Sequence, residues 1–136
     1  MCYTVVCQYE GVVDDKINGN DILEALHDFA GEGLEICLLS NKGRHLDKAL
    51  IHSMESRGYS FLTTQVFGES KITAEVLNGL LEKFGGNLSM AFITNKPRES
   101  KIAEEKGILT VCLEKKKSVF ETLKPLYDYA YNYKND

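Results

Sequence analysis

Apolar runs of strand length alternate with helix-patterned segments along nearly the whole chain, and this alternation restricts the folds open to it. The runs fall at residues 3–7 (YTVVC), 34–39 (LEICLL), 65–67, 89–94 (SMAFIT) and 108–113 (ILTVCL). Between the first two, Ile22, Leu23, Leu26, Phe29 and Ala30 recur at helical spacing, with Asn20 or Asp21 as N-cap and Gly31 and Gly33 as the stop. Leu46, Ala49, Leu50, Ser53 and Met54 share a helical face that ends at Gly58. Val76, Leu77, Leu80, Leu81 and Phe84 do the same over residues 73–84, and a shorter helix is predicted over 99–106. Ser118 with Glu121 forms a capping box that opens a C-terminal helix over 118–133; Pro125 kinks or restarts it and the tail frays.

Strands that are apolar on both faces, separated by helices, predict right-handed crossovers and a mainly parallel five-stranded sheet. The expected architecture is a three-layer α/β/α sandwich of Rossmann-like type. It occupies residues 1–136 as one domain, with its core over 3–113. Ligands of such sheets sit beyond the carboxyl ends of the strands. Here those ends are residues 7–11, 39–42, 67–71 and 94–98.

The formal net charge of -4 and the pI near 5.4 argue against a nucleic-acid binder, which carries a basic face. A small anionic ligand is still open to the chain, because a site is local and net charge is not. No apolar run approaches the ~20 residues that span a bilayer, and the N-terminus lacks the pattern of a secretory signal. Cys2, Cys7, Cys37 and Cys112 lie in apolar segments without CxxC pairing, which reads as buried thiols in a reducing, cytoplasmic setting.

The four strand ends carry a recurring set of residues. The first reads VVCQYEGVVDD, with Gln8, Glu10, Gly11 and Val12. The second reads LLSNK, with Ser40 and Asn41. The third places Lys71 just before a helix, and the fourth, ITNKPRESKIAEEKGI, carries Asn95, Glu99 and Gly107-Ile108. In order and spacing these resemble the four motifs of the haloacid dehalogenase superfamily of phosphatases. The resemblance covers about residues 3–113 and implies a nucleophilic Asp at position 8 and an acid/base Asp at position 10. It implies anion binding by Ser40, Asn41 and Lys71, and Mg²⁺ held with the help of positions 95 and 99.

The departures from that pattern bear on function. Gln8 is a neutral amide where the resemblance implies an attacking carboxylate. Asn95 is another amide where Mg²⁺, a hard cation, wants anionic oxygen. Glu10 and Glu99 keep a carboxylate but lengthen it by a methylene. The surviving half is the one that binds anions: Ser40, Asn41 and Lys71, with Lys42, Arg44, Lys96 and Arg98 on the same rim. The expectation is a catalytically impaired phosphatase-like protein without Mg²⁺ that binds a phosphate-like anion or a partner protein. The alternative is an active phosphohydrolase with a non-standard site. Gln8 to Ser40 and Asn41 to Lys71 each leave about thirty residues, too few for the cap domain of related enzymes. A second copy or a partner is then what would roof the cleft, and the tyrosine-rich C-terminal helix could supply the contact.

Other chemistries fit less well. Cys37 and Arg44 miss the Cys-x5-Arg spacing of a cysteine phosphatase, and strand alternation turns Cys7 away from the face used by Gln8. His45 and His52 lie seven apart, too far for a helical zinc pair, and His27 is on another helix. Asp14 and Asp15 read as turn residues, and no glycine-rich phosphate loop is present. A flavodoxin-like or response-regulator-like domain is the competing doubly wound fold.

Overall fold

The computed structural model describes residues 4–40, 52, 55, 56, 58, 63–66, 73–84, 90–114 and 116–135. Strand β1 (Thr4–Gln8) leads through a wide turn (Tyr9–Val13) into α1 (Gly19–Gly31) and β2 (Glu35–Ser40). Then come β3 (Thr63–Val66), α2 (Ala74–Phe84), β4 (Met90–Thr94), α3 (Pro97–Glu105) and β5 (Leu109–Cys112). Two helices close the fold, α4 (Val119–Thr122) and α5 (Lys124–Asn135). Residues 52, 55 and 56 are also helical.

The strands form one sheet in the order β3-β2-β1-β4-β5, and every pairing is parallel. Parallel neighbours need crossovers, and the helices supply them. β1 and β4 lie side by side at the centre with every residue buried, so their largely apolar runs meet no solvent on either face, and the polar Thr4, Gln8 and Thr94 are buried with them.

Side-chain alternation splits the core in two. Val5, Cys7, Ile36, Leu38, Ala91, Ile93 and Val111 face α1, α4 and α5. Val6, Cys37, Leu39, Met90 and Phe92 face α2 and α3. Phe29 and Phe92, both fully buried, are the largest side chains of the two halves. Each such burial stabilises by about 1.5–3 kcal/mol.

Local signals set most of the boundaries. Thr73 Oγ1 accepts from Val76 N at 3.3 Å and starts α2. Gly107, at φ 76°, ends α3: its N–H reaches Glu104 O at 2.9 Å while Ile108 N reaches Ala103 O at 3.2 Å. That left-handed step favours glycine, and the accompanying Ala103–Ile108 contact lies in the same core cluster.

Two expectations need correcting, the start of α1 and the fraying of the C-terminal tail, while the restart expected at Pro125 is found. α1 starts at Gly19 with Asn18 as N-cap, earlier than the caps expected at Asn20 or Asp21, because the preceding turn coils straight into the helix (Gly19 N to Asp15 O, 2.8 Å). The C-terminal segment is two helices meeting at Leu123; Pro125 lacks an N–H and fits the first turn of the second. That helix continues to Asn135, through residues expected to fray. The capping signal does act: Ser118 Oγ accepts from Glu121 N at 3.2 Å. Most of the helix expected around Leu46–Met54 lies outside the described residues.

Candidate functional site

The chain winds to one side of β1 through β2 and β3, then crosses to the other side for β4 and β5. Between β1 and β4 the winding reverses, and a crevice opens there beyond the strand ends. Gln8 ends β1 and Asn95 follows the last residue of β4, with Cys7 opposite Ile93 in the register. The two amides expected at this point therefore stand at the heads of adjoining central strands.

Gln8 is 3% exposed, and Thr94 Oγ1 donates to its Oε1 at 2.6 Å. The same Thr94 oxygen accepts from Lys96 N at 3.2 Å. One hydroxyl thus ties the β1 amide to the backbone that leads into α3. Satisfying a buried amide in this way avoids a desolvation penalty of about 1–3 kcal/mol.

The wide turn after Gln8 opens with a four-residue β-turn. Glu10 (φ -69°, ψ 122°) and Gly11 (φ 84°, ψ -10°) have the angles of the two central residues of a type II turn, whose second position favours glycine. Gly11 also leaves room for Asn95: a Cβ there would come within 2.7 Å of Asn95 Nδ2. Asp14 Oδ1 accepts from Gly11 N at 2.6 Å, and Val12 and Val13 plug into the core below. Glu10 is half-buried on the turn.

The described part of the crevice has a volume of about 260 Å³, lined by Gly11, Asp15, Asn18, Asn95, Leu113 and Glu114. Its two charged side chains are carboxylates, with Lys117 Nζ 3.9 Å from Glu114 at the exposed edge. Asn95 Oδ1 is buried without a hydrogen-bond partner. Glu99 is 3% exposed in the first turn of α3, where a helix favours negative charge. Ser40 ends β2, on the far side of β1 from β4. Asn41, Lys42, Arg44, His45 and Lys71 lie outside the described residues; of Ser40, Asn41 and Lys71, the residues expected to bind an anion, Ser40 alone falls in a described element. Lys96 is half-buried and Arg98 exposed.

This donor set does not fit Mg²⁺. Gln8 Oε1 already accepts from Thr94, and Asn95 offers a neutral oxygen where the ion wants anionic ones. Among the described residues no group of three His, Cys, Asp or Glu side chains is arranged to hold a metal. Neither Cys7 nor Cys37 offers a thiolate to stand in for a carboxylate. Cys7 packs on the opposite face of β1 from Gln8, and burial, then Cys37, drives its pKa upward. Burial likewise pushes Cys37 up to about 12.

Thr94, Asn18, Leu113 and Glu114 were not singled out from sequence. Only Thr94 carried a signal, as a hydroxyl closing an otherwise apolar strand directly before Asn95. The others arrive through the turn before α1 and the end of β5, which have no motif.

Solved structures share this fold. An uncharacterized protein from Corynebacterium glutamicum superposes with a TM-score of 0.70 at 15% identity, over 96% of both chains. The core domain of "a putative phosphoglycolate phosphatase from Streptococcus pneumoniae" superposes with a TM-score of 0.59 at 13% identity, over 94% of this chain and 96% of that one. No family model and no curated protein matches the sequence. These likenesses show the fold alone, an α/β sheet of parallel strands with helices on both sides. No helix among the described residues is long and apolar enough to cross a membrane.

Proposed function

We propose that this chain is a haloacid dehalogenase-like protein that has lost phosphoryl transfer and acts by binding a phosphate-like anion. The observation that carries the reading is Gln8. Its amide fills the position from which a carboxylate would attack, is buried, and has its oxygen engaged by Thr94. A neutral amide held in this way is a poor nucleophile. The β4 side of the crevice is lined by Asp15 and Glu114, which repel an anion. On this reading the anion falls to Ser40, Asn41 and Lys71, the residues the sequence resemblance implies.

The test is turnover of an aryl phosphate with Mg²⁺, by the wild type and by Gln8→Asp/Asn95→Asp. The wild type should match the protein-free blank. Turnover above blank that disappears in Glu10→Gln would make the chain an enzyme and overturn the reading. Inorganic phosphate should raise the melting temperature, since a ligand at 100 times its Kd adds about 2.7 kcal/mol. No rise in wild type would move the role from anion binding to contact with a protein partner.

A further inference from the structure

β5 is an outer strand of the sheet: it pairs with β4 along one edge, and among the described residues no strand lies along the other. One hydrogen bond fixes which of its backbone groups face outward. Leu113 N–H donates to Thr94 O, at the end of β4, at 2.8 Å. Successive residues of a strand direct their N–H and C=O to alternate edges. Those of Leu109, Val111 and Leu113 therefore turn toward β4, and those of Thr110 and Cys112 turn away. Both of these residues are half-buried. Edge strands are commonly blunted by proline, by a charge within the strand or by a bulge. Leu109–Cys112 contains no proline and no charge, and it keeps an unbroken register with Ala91–Thr94.

A strand of four residues offers few bonds, so its flanks must contribute to any pairing. Here the flanks differ in charge. Before β5, Glu104 and Glu105 are exposed in the last turn of α3, the negative end of that helix, and the turn holds no basic residue. After β5 the chain reads EKKK over residues 114–117, with Lys116 and Lys117 exposed. Lys117 is held only loosely, 3.9 Å from the exposed Glu114. An antiparallel second copy brings the acidic start of one strand beside the basic end of the other, at both ends of the seam. A parallel copy would set like charge against like.

We propose that two copies of this chain pair through β5, antiparallel, about a two-fold axis at Val111, and so join their sheets into one. Thr110 of each copy lies opposite the partner's Cys112, and the two residues exchange both backbone hydrogen bonds. Glu104 and Glu105 face the partner's lysines. The proposal does not depend on the reading of the strand-end site.

Sedimentation equilibrium and a cysteine cross-link test it on the full chain. Wild type should sediment at twice its 15.3 kDa. Thr110→Cys sets a thiol opposite the partner's Cys112 at a Cα separation of about 5.5 Å, within disulfide reach. Mild oxidation with copper phenanthroline should then give a covalent dimer on a non-reducing gel, with residue 110 linked to residue 112 by peptide mass spectrometry. Wild type, which sets a threonine against that cysteine, should give no link through Cys112. Thr110→Pro deletes an outward N–H and no bond to β4, so it should sediment as a monomer with an unchanged circular dichroism spectrum. A monomeric wild type at millimolar concentration would overturn the proposal whether or not the variants fold. So would a Thr110→Cys dimer without the 110–112 link, or a folded Thr110→Pro protein that stays dimeric.

Discussion

Thr94 and Gln8, 86 residues apart in sequence, are joined side chain to side chain by a 2.6 Å hydrogen bond across the two central strands. Thr94→Val keeps the shape of the side chain and removes the donor, leaving Gln8 Oε1 buried without it. The variant should lose about 1–3 kcal/mol in urea unfolding, and Thr94→Ser should recover most of the loss. If Thr94→Val is as stable as wild type, the bond contributes nothing net.

Gly11→Ala combines two faults. The residue sits at φ 84°, and its new methyl would meet Asn95 Nδ2 at 2.7 Å. The left-handed conformation alone costs roughly 1–2 kcal/mol for a residue with a Cβ. The expected loss in denaturant unfolding exceeds that figure. Adding Asn95→Ala should return part of it, because the clash is with that side chain.

Cys7 and Cys37 should resist alkylation in the folded protein at pH 8 and react once it unfolds. Burial holds both thiols protonated, and the thiolate is the reactive form. Peptide-resolved mass spectrometry after iodoacetamide treatment reads this directly. Fast labelling of Cys7 in the native state would place it outside the core.

Tyr127 makes stability fall in alkali. Its folded pKa is raised, so the proton stays on in the folded protein after the unfolded chain begins to lose it. The contribution is complete below the ordinary tyrosine value of about 10 and is lost as pH climbs above it toward the folded pKa. Tyr127→Phe should cost about 0.5–1.5 kcal/mol at pH 7 for the lost bond to Asp28, and show a shallower decline between pH 9.5 and 11. Parallel declines in the two proteins would remove Tyr127 from the effect.

Four of the five strands were legible in sequence because a parallel sheet buried on both faces leaves long apolar runs, and β1 and β4 are largely such runs; β3 (Thr63–Val66), expected at 65–67, has no such run and was placed late. Gln8 and Asn95 came with them, since the position of a strand-end residue follows from the strand. The start of α1 was less legible: Asn20 and Asp21 look like better caps than Asn18, but the turn from Asp15 decides where the helix begins. The break at Leu123 was half visible, through Pro125. Asn18, Leu113 and Glu114 could not be read as site residues, because what brings them to the crevice is loop geometry and the approach of β5. The bond from Thr94 to Gln8 depends on a register between strands far apart in sequence, and no local pattern encodes it.

The order β3-β2-β1-β4-β5 has a consequence for biosynthesis. β1 lies in the middle of the sheet, yet one of its two partners, β4, is translated some eighty residues later. Until that strand clears the ribosome, one whole edge of β1 has no mate, and its unpaired amides and carbonyls face whatever is nearby. The hazard for this molecule in the cell is thus greatest while it is being made, and a chaperone that shields residues 4–8 during that interval should raise its yield more than any change to the finished surface.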